Sequence, residues 1–262
     1  MESSQTPKRI VLLAPFEGRY REVGYQALYA MQLAFAESGV NTQVELHAID
    51  DGSSPQSAVD RAQAILLDDR AVAVVILGYA AADESVLDVL GEIPTFISGY
   101  WNVTLPLSEN IYVYTNPQIS DLIDLPPTLS VTDLIGFSPP YTGGDMLILE
   151  QALELIADLR GVQVASSFAL PDDSFQERFV RENQFAPQPN LIAVGSYETT
   201  TYLLHHVEQL VLENRLSRDN LRDSLAENTD FVDGFMVNLP VFLYQYDTDG
   251  RLLPVNRVIE QG

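Results

Sequence analysis

Cysteine is absent from this sequence of 262 residues, and histidine and tryptophan are scarce, with three and one. Without cysteine the chain forms no disulfide, no thiolate nucleophile and no zinc–thiolate site. Histidine also offers little for a metal site, because the neighbours His205 and His206 diverge by about 100° on a helix. His47 lies alone in a predicted strand. We therefore expect no metal and no cofactor.

Basic residues are few as well. The chain has 14 lysines and arginines against 37 acidic residues, which gives a formal net charge of −23. Such a charge repels the phosphate backbone of nucleic acids and anionic lipid surfaces. Long apolar runs are also missing: the longest, residues 71–78, is far shorter than the roughly 20 residues of a membrane-spanning helix. We expect a packed, acidic chain that neither binds nucleic acid nor inserts into a membrane.

The signatures of common enzyme sites do not occur. The sequence contains no Gly-x-Ser-x-Gly elbow, no Walker A loop and no Gly-x-Gly-x-x-Gly fingerprint. Residues 247–250, Asp-Thr-Asp-Gly, look like part of a calcium loop, but the twelfth position is Val258 where such a loop needs a bidentate acid. A hairpin turn is the better interpretation. We predict no catalytic residues and no enzyme.

Short apolar runs alternate with stretches of helical periodicity, which is the pattern of parallel α/β units. Buried strands are predicted over residues 9–14, 43–49, 71–77 and 94–98, with helices over residues 22–38, 58–67 and 84–90. Pro55 fits the first turn of the second helix. The preceding Asp50 and Asp51 are interpreted as acids at that helix N-terminus, with a cation site as the alternative.

The regular alternation fails between residues 100 and 141, where six prolines fall. We interpret this segment as a crossover into a reduced second lobe. Beyond it, helices are predicted over residues 146–159, 174–182, 197–213 and 218–226, and strands over residues 162–168, 235–246 and 252–259. The last two strands are joined at residues 247–250.

Aromatic and small polar residues follow the predicted parallel strands at their carboxyl ends, where open α/β sheets bind ligands. Helix N-termini at this edge suit a carboxylate or another anion, and the aromatic side chains suit an apolar or cationic body. The candidate ligand-binding residues are Phe16, Tyr20, Tyr79, Ala80, Ala82, Ser98, Tyr100, Trp101 and Asn102, together with Phe137 and Tyr141 of the second lobe.

These motifs, in this order, resemble the type I periplasmic binding proteins, specifically the branched-chain amino acid receptor family of ABC transporters. The similar segments are the opening strand with its glycine- and tyrosine-containing loop, the acidic strand end with the helix that follows, the third and fourth strands, and the closing hairpin, at residues 10–24, 44–59, 73–78, 93–98 and 249–250.

The resemblance implies an α/β fold with two Rossmann-like parallel-sheet lobes and a hinge near residues 98–114 and 162–169, the second lobe being abbreviated. A flexible stub over residues 1–7 precedes them. The first lobe would comprise residues 8–115 and 169–227, and the second residues 116–168 and 228–262.

The sequence departs from the family pattern at the expected site. Ala82 aligns with a family hydroxyl that helps to hold the ligand carboxylate, and the next hydroxyl is that of Ser85. Tyr100 and Asn102 align with a backbone group and a threonine of the family. For the acid that receives the ligand ammonium, the candidates are Asp145 and Glu198, with a helix-start acid and an exposed helical acid as the alternative interpretations.

The resemblance implies a monomeric, extracytoplasmic solute-binding protein, in the periplasm or at the cell surface, with a lipid anchor on the full-length precursor as one option. It would capture an amino acid or a related metabolite, aromatic ones included, between the lobes for ABC transport or for sensing. Its partners would be the small-molecule ligand and either a transporter permease or a sensor protein. The alternative is a degenerate binding fold without a closed pocket, which acts as a protein-interaction or regulatory module.

Overall fold

A first, larger sheet organises the amino-terminal half of the chain. The computed structural model describes residues 6–40, 42–101, 103, 106–125 and 131–255. The seven strands of this sheet, in the order β2-β1-β3-β4-β5-β9-β8, are β1 (Lys8–Ala14), β2 (Val44–Asp50), β3 (Ala71–Ile76), β4 (Thr95–Ser98), β5 (Ile111–Tyr114), β8 (Phe231–Val232) and β9 (Phe235–Met236). All neighbours are parallel except β8 and β9.

Helices cover this sheet and explain its apolar strands. Every residue of β3 is buried, as expected for a central parallel strand that is covered on both faces. The α-helices are α1 (Arg21–Glu37), α2 (Pro55–Leu66), α3 (Glu84–Leu90), α4 (Glu150–Leu153), α5 (Asp173–Glu182), α6 (Leu191–Leu212) and α7 (Arg218–Ala226). Helix α1 packs against α5 and α6, and α2 packs against α3. In the part of the chain that the structure describes, no helix is both long and apolar enough to cross a membrane.

A second, smaller sheet forms the other lobe. Its order is β11-β10-β7-β6, with the strands β6 (Tyr141–Gly143), β7 (Val162–Ser166), β10 (Phe242–Tyr246) and β11 (Leu252–Pro254). The hairpin predicted at residues 247–250 is confirmed, because β10 and β11 pair antiparallel and the carboxylate of Asp247 accepts the backbone N–H groups of Asp249 and Arg251 within the turn.

Two predicted elements are wrong because tertiary packing overrides the local pattern. The predicted helix over residues 146–159 is a 3₁₀ turn (Asp145–Ile148) followed by the single turn of α4, and Leu149 between them has an extended backbone with ψ 138°. The predicted strand over residues 235–246 is split between the two sheets as β9 and β10. Pro240 lies in the connection between these strands and cannot donate to a strand ladder.

Three chain segments connect the sheets and are hydrogen-bonded to one another. The backbone N–H of Asn116 donates to the Ser167 hydroxyl at 2.7 Å, and its side-chain amide donates to the carbonyl of Leu239 at 2.6 Å. The resemblance placed all residues from 228 onward in the second lobe, whereas residues 231–236 pair with the first sheet. The lobe boundaries as a whole stay a prediction.

Arg218 fastens α7 to the carboxyl end of α2. Its guanidinium donates to the backbone carbonyls of Ile65, Leu66, Asp68 and Ala71, at distances between 2.6 and 3.4 Å. Ile65 and Leu66 belong to the last turn of α2, Asp68 follows it, and Ala71 begins β3. We expect Arg218→Met to lower the free energy of unfolding by about 2 kcal/mol, because several charge-assisted hydrogen bonds between α7 and this connection are lost. Urea denaturation measures this loss.

The matched control is Arg222→Met on the same helix. Arg222 contacts Asp219 at 2.8 Å in a solvent-exposed pair, and such pairs contribute about 0.5 kcal/mol or less. Equal losses for the two variants would contradict the fastening role of Arg218.

Candidate functional site

The carboxyl ends of β1, β3 and β4 meet at one edge of the first sheet, and three predicted aromatic residues form a cluster there. The Tyr79 ring contacts the Tyr20 ring edge-on, with centroids 5.8 Å apart, and the Trp101 ring at 5.4 Å. The Trp101 indole N–H donates to the carbonyl of Ser98 at 2.7 Å, which fixes the ring at the end of β4. The aromatic cluster Tyr20, Tyr79 and Trp101 is thus one wall of the expected site.

The opposite wall is a single segment of the second lobe, residues 144–150, which we call the closure segment. The Tyr79 hydroxyl donates to the sulfur of Met146, and the Tyr100 ring packs on Gly144. Farther out, the backbone N–H of Glu150 donates to a carboxylate oxygen of Glu22 at 2.9 Å. These contacts hold the two lobes together in the structure.

Asp145 of the closure segment is the buried charge of this interface. Its side chain is only 2% exposed, and its Oδ2 accepts the backbone N–H of Tyr100 at 3.3 Å across the cleft. Its Oδ1 is buried and has no hydrogen-bond partner in the described residues. Burial raises the pKa of Asp145 to about 6, although the Ser166 hydroxyl and the Tyr100 N–H lower it.

A small cavity surrounds this carboxylate. It is lined by Leu77, Ser98, Gly99, Trp101, Asp145, Phe168 and Ile192. The space is too narrow throughout to admit a water molecule. A ligand therefore enters only when the lobes part or the aromatic side chains turn aside.

Acidic side chains at this edge hold the loops that follow the strands. Asp50 accepts the backbone N–H of Phe16 at 2.6 Å and that of Gly52 at 3.0 Å, and Asp51 accepts the N–H of Ser53 at 2.7 Å. The Oδ2 of Asp51 is buried without a described partner, and burial raises the pKa of Asp51 to about 6.

The predicted capping role of these two acids is wrong. The N-cap of α2 is Ser54, whose hydroxyl accepts the backbone N–H of Ser57, and Pro55 occupies the first turn as predicted. Asp50 and Asp51 instead bind the loop backbone, as Asx turns do. In the described ranges no group of three or more histidine, aspartate or glutamate side chains is placed to hold a metal ion.

The other predicted site residues lie in several places. The Phe16 ring contacts Tyr25 at 5.6 Å, and Phe137 contacts Tyr141 at 6.4 Å within the second lobe. Neither pair lines the cavity around Asp145. Asn102 lies outside the described residues.

Some of the hydrogen-bonding groups at the ends of β3 and β4 are already engaged. The backbone N–H of Ala82 donates to the carbonyl of Gly78 at 3.0 Å, and the Ser98 hydroxyl accepts from Thr199 at 2.9 Å. Ala80 is partly buried against the core. The Ser85 hydroxyl donates to the Asp83 carboxylate. The hydroxyls of Ser98 and Ser85 and the N–H of Ala82 are therefore not free to bind a ligand in this state.

Glu198, the second candidate acid, lies on α6 and does not line the cavity. It is half-buried, and burial raises its pKa. His206 donates to or accepts from the Ser224 hydroxyl at 3.1 Å, depending on its tautomer. Burial lowers the pKa of His206 and favours the neutral ring.

Three cavity residues, Leu77, Phe168 and Ile192, were not predicted from the sequence, and Asp145 was named only as one of two candidate acids. One local signal was present, since Asp145 is the acid that precedes four consecutive apolar residues. An acid in such a run is either exposed by a turn or buried for function.

A larger cleft of about 550 Å³ lies at the opposite edge of the first sheet, lined by Thr6, Lys8, Thr42, Gln43, Val211, Asn214 and Leu216. Lys8 and Gln43 mark the amino ends of strands β1 and β2. Ligands of open α/β sheets bind at the carboxyl ends. We therefore place the candidate site at the Asp145 cavity and not in this cleft.

No protein-family model matches the sequence, and no curated protein matches it. Solved structures match almost its whole length. A fatty acid ABC transporter substrate-binding protein from Thermomonospora curvata is 16% identical with a TM-score of 0.73, and the match covers 98% of this chain and 94% of that one.

A branched-chain amino acid transporter substrate binding protein from Streptococcus pneumoniae, in complex with isoleucine, has a TM-score of 0.69 at 12% identity, covering 95% of this chain and 99% of that one. A possible leucine/isoleucine/valine-binding protein from Rhodopirellula baltica has a TM-score of 0.71 at 11% identity, and the match covers 99% of this chain and 100% of that one. At such identities the likeness establishes the fold. The chain has the type I periplasmic-binding-protein fold, as the sequence resemblance implied.

Proposed function

We propose that this chain is an extracytoplasmic solute-binding protein that holds a small ligand between its two lobes and delivers it to a transporter or a sensor. The observation that carries the proposal is the carboxylate of Asp145, which is buried at the lobe interface with Oδ1 unpartnered. A buried, unpaired polar atom costs free energy, so its retention points to a function that requires it.

The geometry suits a ligand with one polar group and an apolar or aromatic body. The carboxylate supplies the polar anchor, and Trp101, Phe168 and Ile192 supply apolar walls. An amino acid or a related metabolite, aromatic ones included, brings such a body together with an ammonium or other polar group for this anchor. The contacts of the closure segment would break on opening and form again around the ligand, which selects the closed state by its higher affinity for it.

A thermal-shift screen against amino acids, amides, polyamines and aromatic acids tests the proposal. A ligand at 100 times its dissociation constant adds about 2.7 kcal/mol of stability, which raises the melting temperature measurably. No shift with any compound, together with a measured protein partner, would favour the protein-interaction module instead.

Closure itself is tested by Gly144→Val. A Cβ at Gly144 would lie 3.2 Å from a ring carbon of Tyr100, so the larger valine side chain is expected to wedge the lobes apart. We expect a larger radius of gyration in small-angle scattering and at least about tenfold weaker binding of any compound found by the screen. The control is Gly136→Val, because a Cβ at Gly136 meets no atom within 4 Å. An unchanged radius and affinity in Gly144→Val would contradict binding between the lobes.

A further inference from the structure

Two carboxylates cross the interface between the lobes in opposite directions. Asp145 of the closure segment accepts the backbone N–H of Tyr100 in the first lobe at 3.3 Å. Glu22 of the first lobe accepts the backbone N–H of Glu150 in the closure segment at 2.9 Å. Each lobe thus contributes one acid to the closed interface, and both acids exchange protein contacts for water when the lobes part.

Closing the lobes is less favourable for Asp145 in its charged form than in its neutral form. In the closed state its side chain is 2% exposed, and Oδ1 has no hydrogen-bond partner in the described residues. Within the same residues no basic side chain forms an ion pair with it. A carboxylate that is buried without a cation loses its hydration uncompensated, whereas a neutral acid loses much less.

The groups that surround Asp145 do not offset this loss. Tyr79 faces it from the loop after β3 and Tyr244 from β10, and burial raises the pKa of both hydroxyls, so that both stay neutral. The Ser166 hydroxyl and the Tyr100 N–H favour the carboxylate, but burial outweighs them and raises the pKa of Asp145 to about 6. The other side chains that line its cavity are uncharged: Leu77, Ser98, Trp101, Phe168 and Ile192.

Glu22 acts in the same direction at the outer end of the closure segment. Burial raises its pKa, and the charge of Glu150 adds to this increase, while hydrogen bonds from the Glu150 N–H and the Asn190 amide oppose it. Tyr246 of β10 faces Glu22 as well, and burial raises the pKa of its hydroxyl, which therefore stays neutral. Both acids of the interface are thus easier to protonate in the closed state than in water.

We propose that a proton shuts the empty site: the lobes close on a protonated Asp145 in acid and part at neutral pH, where Asp145 is charged. This regulation rests on the proposed function in one respect, that the two lobes move apart to admit a ligand. Because the closed cavity is too narrow for a water molecule, a ligand enters when the lobes part. Acid would therefore slow the capture of a ligand.

The direction and the size of the effect follow from proton linkage. The closed state has the higher pKa, so the stabilisation that it gains from the proton is complete below the open-state pKa and is lost as the pH rises through the closed-state pKa. With the ordinary pKa of 3.8 in the open state and about 6 in the closed state, the ratio of closed to open molecules falls about tenfold between about pH 5 and about pH 8.

Trp101 reports the state of the lobes, because it is the single tryptophan of the chain and is 2% exposed at their interface. Acrylamide quenches its fluorescence only where the quencher reaches the ring. For the empty wild type we expect the quenching constant to rise at least about twofold between about pH 5 and about pH 8. The radius of gyration in small-angle scattering is expected to increase over the same range. N-acetyltryptophanamide corrects for the effect of pH on quenching itself.

Asp145→Asn keeps the shape of the acid and removes its charge. We expect its lobes to stay closed, with weak quenching of Trp101 at both pH values. Gly144→Val supplies the signal of parted lobes, with strong quenching at both. The matched control is Asp158→Asn, because Asp158 is a solvent-exposed acid of the second lobe; this variant should follow the wild type. Glu22→Gln is a second, independent test and is expected to reduce the pH dependence by a smaller amount than Asp145→Asn.

The outcomes separate this inference from the proposed function. Quenching and a radius of gyration that do not change with pH in the wild type would overturn the inference, and solute binding would stand. An equal pH dependence in Asp145→Asn and the wild type would overturn it too, because general repulsion between two acidic lobes would then explain the opening. If the lobes respond to pH as expected but no compound of the thermal-shift screen binds, the proposed function is wrong and the proton-controlled closure stands.

Discussion

Gly24→Ala is expected to destabilise the protein by about 3 kcal/mol. Gly24 lies in α1, where its backbone packs directly on the loop after β1. A Cβ built at this position would lie 2.1 Å from the carbonyl oxygen of Pro15 and 2.8 Å from its carbonyl carbon. Backbone atoms cannot rotate away as a flexible side chain can, so α1 must shift from the sheet.

The sign of this effect is unusual for a helix. An alanine in place of a helical glycine ordinarily stabilises a helix by about 0.5 to 1 kcal/mol. Gly39→Ala is the control, because a Cβ there meets only a Glu208 carboxylate oxygen, at 3.7 Å. Urea denaturation should show a large loss for Gly24→Ala and a change of about 0.5 kcal/mol or less for Gly39→Ala. Similar losses of stability for the two variants would mean that the packing of α1 on the backbone of Pro15 does not require a glycine at position 24.

We expect the free energy of unfolding of Asp145→Asn, relative to that of the wild type, to increase by about 3 kcal/mol as the pH rises from about 4 to about 8. In the folded protein burial raises the pKa of Asp145 from 3.8 to about 6. The folded state therefore favours the protonated acid, and its stabilising contribution is complete below the unfolded pKa. That contribution is lost as the pH rises through the folded pKa, and the asparagine variant has no such loss.

Denaturation of both proteins at several pH values measures this difference. Burial also raises the pKa of Asp51 to about 6. The pH dependence that Asp51 contributes is the same in both proteins and cancels in the comparison. Asp158→Asn is the control of opposite sign, because Arg160 lowers the pKa of Asp158 to about 2. That variant should lose stability towards neutral pH. A stability difference between Asp145→Asn and the wild type that does not change with pH would contradict a buried, unpaired carboxylate.

The expected gain bears on function. A substitution that stabilises a protein by removing a buried charge implies that the charge is kept for another reason. With Asp145 as the polar anchor of the ligand, we expect Asp145→Asn to be at once more stable at neutral pH and weaker in binding. Measuring both properties on one variant separates a functional acid from a structural one.

Several features follow from local sequence patterns. The parallel strands and Pro55 at the start of α2 were predicted because apolar runs and proline restrict the backbone over a few residues. The Asp-Gly turn at residues 247–250 was predicted for the same reason. Helix α7, over Arg218–Ala226, matches its predicted bounds. The start of α6 was placed six residues too late, at residue 197 instead of Leu191, because the cap at Asn190 was overlooked.

The site was only partly predictable. Tyr79 and Trp101 were named because they follow strands whose carboxyl ends meet, a property of any parallel sheet. Phe168, which follows β7, and Ile192, in the first turn of α6, were missed because both reach the cavity from far along the chain. The closure segment was read as part of a long helix, which hid the position of Asp145.

The sequence by itself determined the α/β class, the acidic surface, and the edge of the first sheet at which aromatic residues gather, because these depend on composition and on patterns a few residues long. Only the tertiary structure decided which acid is buried and which donors are already used. Asp145 meets the backbone of Tyr100, 45 residues earlier in the chain, across two lobes. Burial and the resulting pKa depend on such distant contacts, which local periodicity does not encode.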